Sequence, residues 1–261
     1  MPNTPFEMTE VGSEELFESR AEDRGKPLLS VVVPAYKEEE YVEQTLRGIK
    51  RACDDSNISA EIIVIVDVLP GDRTTEYVHR VSEGNPEIRV QERLGRRGVG
   101  DAVRTGIAMA RGEVLVVAMG DQSEDPNEIV RLAKSCLECD IVFTNRFRHG
   151  RPRGYPFVKY LANRACNYAV KWFAGIEFSD TTNAFKAYKV ETLKRVQLTS
   201  NGFEIFLEIP LKVMRCDRIR TREVEASHVV RKKKAPKLSV TKDGYRYVRV
   251  LLTSLRPQPK C

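Results

Sequence analysis

The chain has 261 residues, 41% hydrophobic and 31% charged, the balance of a folded globular protein with one large domain or two small ones. No apolar run approaches the roughly 18 residues of a membrane-spanning helix, and the acidic N-terminus lacks the basic start and apolar stretch of a secretory leader. The net charge of +6 is uneven: residues 1–27 hold seven acids against three bases, whereas residues 210–261 hold fifteen Lys and Arg against four acids.

Residues 1–27 are polar and poor in large apolar groups, and read as an acidic tail. From Leu28 the pattern changes. Leu28–Val33 is a short β-branched run ended by Pro34, the mark of a buried strand, and Glu39–Cys53 carries apolar residues at helical spacing (Tyr41, Val42, Leu46, Ile49). Glu61–Val66 reads as a strand, Thr74–Val81 as a helix and Ile88–Gln91 as a third strand. Gly100–Arg111 reads as a helix, Glu113–Ala118 as a strand, Asn127–Leu137 as a helix and Asp140–Thr144 as a strand. An amphipathic helix is expected over Phe157–Phe173, followed by mixed segments and a basic end.

Strands alternating with helices predict an α/β fold with a mostly parallel central sheet covered on both faces. In such sheets ligands sit beyond the carboxyl ends of the strands. That rule singles out the residues from Pro34 to Glu38, and also Asp67, Asp121, Asn145 and Arg146. Asp67 ends an apolar run, where a carboxylate can accept hydrogen bonds from a ribose or a base. Arg97-Gly98-Val99-Gly100 precedes a helix, where glycines admit close backbone approach and the helix N-terminus favours anions. Asp121 follows the fourth strand, a position suited to a divalent ion shared with a diphosphate.

The cysteines form no disulfide framework, and Cys136-x-x-Cys139 lacks a second ligand pair for zinc. They read as inert thiols of a reducing, cytoplasmic setting. The basic end, densest at Arg231-Lys232-Lys233-Lys234, suits an anion such as a phosphate or an acidic membrane surface. It contains no recognisable nucleic-acid motif, so nucleic acid is not expected as a partner.

Taken in order, these segments resemble family 2 glycosyltransferases. Val31-Val32-Val33-Pro34-Ala35-Tyr36-Lys37-Glu38-Glu39 is similar to that family's V-x-P-x-Y-N-E-E opening, and Arg97-Gly98-Val99-Gly100-Asp101-Ala102 to its middle G-x-G-x-A stretch. Met119-Gly120-Asp121-Gln122-Ser123-Glu124-Asp125-Pro126 resembles the metal-binding D-x-D segment of dolichol-phosphate mannose synthases, and Thr144-Asn145-Arg146-Phe147 resembles their S-R-Y. Asp180-Thr181-Thr182-Asn183-Ala184-Phe185-Lys186 resembles D-x-T-S-G-F-R, while Gly202-Phe203 with Glu208, and Arg231 with Lys237-Leu238, match later positions in part.

The resemblance implies a GT-A domain, a Rossmann-like nucleotide-sugar-binding fold, over residues 28–240, with residues 241–261 a basic C-terminal segment. It further implies an inverting, metal-dependent transfer of a mannose-type or glucose-type hexose from GDP-mannose or a UDP-sugar to a polyprenyl phosphate. Pro34, Tyr36, Glu38, Asp67, Arg97, Gly98, Gly100 and Asp101 would face the nucleotide, and Asp121 would bind Mg²⁺ or Mn²⁺. Arg146, Arg164, Asn167, Arg231 and Lys237 would face the acceptor phosphate, although Arg231 and Lys237 also read as plain tail charges. A lipid acceptor would place the enzyme peripherally at the cytoplasmic membrane face, docked through the basic end and the mixed helix face of Tyr160, Leu161, Tyr168, Val170, Trp172 and Phe173. That face equally suits ordinary core packing.

Two departures from the family pattern stand out. The first acid of D-x-D is Met119, and the second acid expected after Asp67 is Val68. They leave two alternatives open: a soluble hydroxyl acceptor, with Asp180 or Glu208 as base or as a structural carboxylate paired with an arginine, and a non-catalytic nucleotide-sugar-binding subunit.

Overall fold

The computed structural model describes residues 26–95, 97–152, 154–178, 180–225 and 240–254. β1 (Leu29–Ala35), α1 (Val42–Asp55), β2 (Ala60–Val68), α2 (Thr74–Ser82), β3 (Ile88–Leu94), α3 (Val99–Met109), β4 (Val114–Val117), α4 (Pro126–Ser135) and β5 (Ile141–Asn145) alternate as the sequence predicts. They are followed by α5 (Phe157–Ala174), β6 (Lys186–Lys189), α6 (Val190–Arg195), α7 (Ile205–Val213), β7 (Thr221–Glu225) and α8 (Val240–Ser254).

The seven strands form one sheet in the order β3-β2-β1-β4-β6-β5-β7. All neighbours run parallel except β6, which is antiparallel to both β4 and β5. Because β1 lies inside the sheet, its side chains are buried on both faces, which is why it reads as a continuous apolar run rather than an alternating one. Val31 and Val33 join α1, α2 and α4 in one core layer, while Val32 joins α3, α6 and α7 in the other. α8 extends the second layer: Val250 and Leu251 pack with Val170 of α5 and with Leu207 and Leu211 of α7. The segment from residue 241 thus contributes a helix that packs on the preceding chain.

The reversed strand positions the site. Since β6 runs against its neighbours, the loop that enters it, Asp180–Phe185, lies at the carboxyl ends of β4 and β5. Thr144 and Asn183 fasten it there: Asn183 Nδ2 donates to Thr144 Oγ1 at 2.6 Å, and Thr144 Oγ1 donates to the Phe185 carbonyl. The third strand is longer than its apolar run suggests. It continues through Glu92 and Arg93 to Leu94 because each residue pairs with β2, and that register sets Arg93 beside Asp67. Cys53, Cys136, Cys139 and Cys166 are free thiols, as the sequence suggests; Cys216, in contrast, is disulfide-bonded.

Gly106 of α3 marks the tightest helix–sheet contact. A Cβ there would lie 2.3 Å from Val32 Cγ1, in a layer with no slack. Gly106→Ala is therefore expected to destabilise the fold by about 1–3 kcal/mol, measured as a lower urea midpoint at unchanged m-value.

Candidate functional site

The site is built along the carboxyl edge of the sheet, in three groups. The first joins the ends of β1 and β4. Ala118 N donates to the Val32 carbonyl at 3.0 Å, and a Cβ at Gly120 would lie 3.3 Å from the Pro34 carbonyl and 3.4 Å from Cγ of Glu38. Pro34 and Glu38 are buried in this seam and Tyr36 is partly exposed. Glu38 N donates to Thr74 Oγ1 at 2.8 Å, so the opening motif is also anchored to the start of α2.

Asp121 follows β4, and its Oδ1 accepts from both Ser123 N at 3.1 Å and Ser123 Oγ at 2.7 Å. This turn brings Glu124 back towards the strand: Met119 N donates to Glu124 Oε2 at 3.0 Å. A carboxylate therefore sits against the backbone of position 119, where the first acid of the motif is missing. Burial, together with the nearby Asp121 charge, pushes the Glu124 pKa up to about 8. Both side chains offer hard oxygen donors of the kind Mg²⁺ or Mn²⁺ takes, while among the described residues no group of three or more His, Cys, Asp or Glu is assembled to hold a metal. The sequence places Glu124 within the motif segment but gives it no role; the available signal is an acid three residues after Asp121 in a motif short of one.

The second group belongs to β2, β3 and α3. Asp67 accepts from Arg93 Nη2 at 2.5 Å and from Arg97 N at 3.4 Å, while Arg93 Nη1 reaches Asp101 Oδ2 at 2.9 Å. Arg104 closes the chain, donating to Asp101 Oδ1 at 2.9 Å and to the Ser200 carbonyl at 2.7 Å. Four of the residues assigned to the nucleotide, Asp67, Arg97, Gly98 and Asp101, are thus gathered around Arg93, whose Nη2 also lies 3.4 Å from the Gly98 carbonyl. Gly98 and Gly100 have a second task here. A Cβ on either would lie 2.3 or 2.4 Å from the carbonyls of Asn201 or Ser200, and Gly100 N donates to the Asn201 carbonyl at 2.9 Å. The glycines admit a neighbouring loop, and that carbonyl already occupies one donor of the helix N-terminus.

Glu208 serves the same loop. It accepts from Thr199 N and Oγ1 and from Ser200 N, and pairs with Lys212 at 2.7 Å. Burial raises its pKa, but the Lys212 and Ser200 hydrogen bonds prevail and hold it below the ordinary value. The geometry makes it a clamp on the loop before α7.

The third group centres on Arg146 and Asp180. Arg146 Nε and Nη2 grip the two oxygens of the fully buried Asp180 at 2.7 and 3.0 Å. Asn163 of α5 donates to Asp180 Oδ1 at 3.2 Å and to Thr182 Oγ1 at 2.7 Å. Asn167, one turn on, accepts from Thr181 N at 2.7 Å, and Arg164 donates to Asn163 Oδ1 at 2.7 Å while its guanidinium lies 4.5 Å from the Phe147 ring centre. Arg146, Arg164, Asn167 and Asp180 are therefore brought together, as a network holding α5 to the loop before β6. Lys186, in the place of the family's arginine, is buried on β6 and donates to the Asn183 and Phe206 carbonyls; burial draws its pKa down to about 7 against the pull of Asp180. Arg231 and Lys237 lie outside the described residues.

Beside this network a cavity of about 530 Å³ opens. Its polar end is lined by Ser123, Glu124, Arg146, Lys159, Asn163 and Thr182. The remainder is apolar, running between α5 (Ala165, Cys166, Ala169), Phe203 and Phe206, and α8 (Val248, Leu251). Val248 is 58% exposed, so the slot adjoins an outer surface on which Leu161, Tyr168, Trp172 and Phe173 of α5 and Tyr245 and Leu252 of α8 are also exposed. Of the face read from the sequence, Leu161, Tyr168, Trp172 and Phe173 are exposed, whereas Val170 is buried in the core and Tyr160 is partly buried against the Phe147 ring, 5.4 Å between centroids.

Comparison with known proteins accounts for this arrangement. The model of the family described as glycosyl transferase family 2 matches residues 30–196. The chain is 30% identical over 190 residues to a dolichol-phosphate mannosyltransferase of Pyrococcus furiosus, covering 70% of this chain and about half (52%) of that protein. It is 25% identical over 215 residues to an undecaprenyl-phosphate mannosyltransferase of Micrococcus luteus, covering 80% of this chain and 86% of the relative. In fold it matches glucosyl-3-phosphoglycerate synthase of Mycobacterium tuberculosis in complex with uridine diphosphate, with TM-score 0.72 at 19% identity, over 98% of this chain and 89% of the other. The sheet order, the carboxyl-edge site and the family match agree, and the chain belongs to glycosyl transferase family 2, with the GT-A fold.

Proposed function

We propose that this glycosyltransferase moves a hexose from a nucleoside-diphosphate sugar, GDP-mannose or a UDP-sugar, to the phosphate of a polyprenyl phosphate, with inversion at the anomeric carbon. The observation that carries this reading is the slot itself: a charged end at the carboxyl edge of the sheet continues into an apolar channel between α5 and α8. A phosphate on a prenyl chain has that same division. The names of the Pyrococcus and Micrococcus relatives point to the same acceptor class.

The chemistry needs little from the protein's bases. A phosphate oxygen of the acceptor attacks the anomeric carbon, the bond from that carbon to the diphosphate oxygen breaks, and the nucleoside diphosphate leaves with the electron pair. No proton moves. A hydroxyl acceptor would require a base, yet Asp180 and Glu208 are each committed to a cation and to hydrogen bonds. Asp121 and Glu124 are the residues that would hold Mg²⁺ or Mn²⁺. When bound, such an ion offsets negative charge on the departing diphosphate. Structures of the mycobacterial synthase include Mn²⁺ with UDP-glucose, and Mg²⁺ with UDP.

The exposed apolar residues of α5 and α8 supply a way to reach a lipid. Among the described residues no helix is long and apolar enough to cross a membrane. The face formed by Leu161, Tyr168, Trp172 and Phe173 would rest on the cytoplasmic surface of a bilayer, with the basic segment around Arg231 drawn to anionic headgroups. A second reading, transfer to a soluble phosphorylated hydroxyl acceptor, is favoured by the mycobacterial synthase captured with phosphoglyceric acid and by Glu124 on the cavity wall as a base.

Three outcomes test this reading. Incubated with farnesyl phosphate, Mg²⁺ or Mn²⁺ and a panel of nucleotide sugars, the enzyme yields a glycosylated lipid phosphate by mass spectrometry. Asp121→Ala and Glu124→Ala each lower that turnover by about 10²–10³-fold, whereas a product formed only from phosphoglycerate contradicts the lipid acceptor. Trp172, the sole tryptophan, shifts its emission to the blue on vesicles containing phosphatidylglycerol; an unchanged spectrum removes the docking face. Asp180→Ala strands a buried guanidinium and lowers stability by about 3–5 kcal/mol, a fall in Tm of about 6–20 °C at roughly 2–4 °C per kcal/mol for a chain of this size. A folded variant with wild-type Tm contradicts the structural role of the pair.

A further inference from the structure

Cys136 and Cys139 stand apart from the other free thiols. Both are buried in the turn that joins α4 to β5, at the amino end of β5 and away from the carboxyl-edge site. Cys139 Sγ donates to the Ser135 carbonyl at 3.2 Å, and Cys136 Sγ lies 3.6 Å from the Cys139 carbonyl. The two thiols are also in hydrogen-bonding contact with each other. Cys53 on α1 and Cys166 on α5 are different: burial above all pushes each of them up to about 11.

The two members of the pair are not electrically alike. The hydrogen bond from Cys136 holds the Cys139 thiol below its ordinary value against burial, with Arg222 and Arg220 adding to that pull and Asp140 opposing it. Burial, together with the neighbouring Cys139, pushes Cys136 well up. Both arginines are anchored to the turn itself: Arg222 Nη2 donates to Glu138 Oε2 at 3.0 Å, and Arg220 Nε to Asp140 Oδ2 at 3.2 Å. A thiol whose anion is stabilised by cations and by a donor is the nucleophile of such a pair. A separate observation points to the same spot. The Tyr188 hydroxyl on β6 is buried, has no hydrogen-bond partner among the described residues, and is near enough to Cys136 to feel its charge. A buried donor left unpaired carries a cost that an oxygen-bearing or anionic sulfur beside it would relieve.

We propose that Cys136 and Cys139 form a peroxide-sensitive dithiol that closes reversibly to an intramolecular disulfide. The Cys139 thiolate attacks one oxygen of hydrogen peroxide, the O–O bond breaks, hydroxide leaves, and Cys139 becomes a sulfenic acid. The Cys136 sulfur then displaces the hydroxyl group: the S–S bond forms, the S–O bond breaks, and the Cys136 proton departs with the hydroxyl as water. The two sulfurs lose two electrons and the peroxide gains them. A water-sized oxidant suits thiols that the turn covers. The bond ties the end of α4 to the start of β5 and closes a turn whose Glu138 and Asp140 hold the arginines beside and on the edge strand β7. None of this depends on which donor or acceptor the enzyme uses.

The test is peptide mass spectrometry of the folded full chain after timed exposure to hydrogen peroxide, with remaining thiols blocked by N-ethylmaleimide under denaturing conditions. Trypsin cuts after Lys134 and Arg146, so one peptide, Ser135–Arg146, carries both cysteines and neither Cys53 nor Cys166. That peptide is expected to lose two hydrogens and accept no maleimide, about tenfold or more faster than Cys53 or Cys166 reacts, and dithiothreitol should restore both thiols. In Cys136→Ser, Cys139 should be trapped by dimedone as the sulfenic acid; in Cys139→Ser, oxidation of Cys136 should slow by about tenfold or more. Circular dichroism and Tm serve as folding controls for the variants, and the wild-type peptide decides the matter if a variant does not fold. The inference is overturned if the peptide keeps two blockable thiols while Cys53 or Cys166 is oxidised. It is equally overturned if no cysteine reacts, or if the two sulfurs are oxidised separately without a bond between them.

Discussion

The bidentate contact between Arg146 and Asp180 is the constraint on which the site depends. Arg146 follows β5, Asp180 opens the loop that enters β6, and Asn163 links the same carboxylate to α5. Three elements distant in sequence are thereby fixed at one point of the sheet edge. Both partners are largely enclosed, so neither can lose the other without leaving a charge with no water to solvate it. The pair also settles what each residue can do. A carboxylate held by a guanidinium on both oxygens is a poor proton acceptor, and a guanidinium so held is a positioned wall rather than a mobile cation.

The group at β2, β3 and α3 is built in the same way. Asp67 and Asp101 share Arg93, and Asp101 shares Arg104 with the carbonyl of Ser200, so β2, β3, α3 and the loop before α7 form one polar lattice. Glu208 secures that loop from behind, and Gly98 and Gly100 let its backbone approach within hydrogen-bonding distance of α3. Residues whose types suggest contact with a ligand are here shared with the scaffold. Such a network ties these elements to one another at the sheet edge, although Arg93 Nε is buried without a hydrogen-bond partner among the described residues.

Much of this was legible in the sequence, and the exceptions have physical reasons. The order of strands and helices through β5 follows from apolar periodicity, because a buried parallel strand needs an unbroken β-branched run and its crossover helix needs one apolar face. β6 has no such run: Lys186-Ala187-Tyr188-Lys189 falls among the segments that read only as mixed, yet it is largely buried, with Lys186 finding two carbonyl partners inside. Arg93 was passed over because it lies beyond the apolar part of β3, where only the register with β2 reveals that it faces Asp67. The acid missing at Met119 is visible in one dimension, but that Glu124 folds back to the backbone of that residue is not. The aromatic residues of α5 have the composition of either a core or an outer face; the structure distinguishes them by burying Val170 and exposing Trp172.

We propose that the apolar slot between α5 and α8 holds the chain of a phosphate-bearing acceptor. The most direct test of this is the dependence of kcat/KM on prenyl length across the five-, ten- and fifteen-carbon phosphates with one active donor. If the slot holds the chain, kcat/KM rises steeply with each added isoprene unit until the channel is filled, since each buried methylene contributes about 0.8 kcal/mol. A flat profile, with the shortest phosphate turned over as well as the longest, would contradict it.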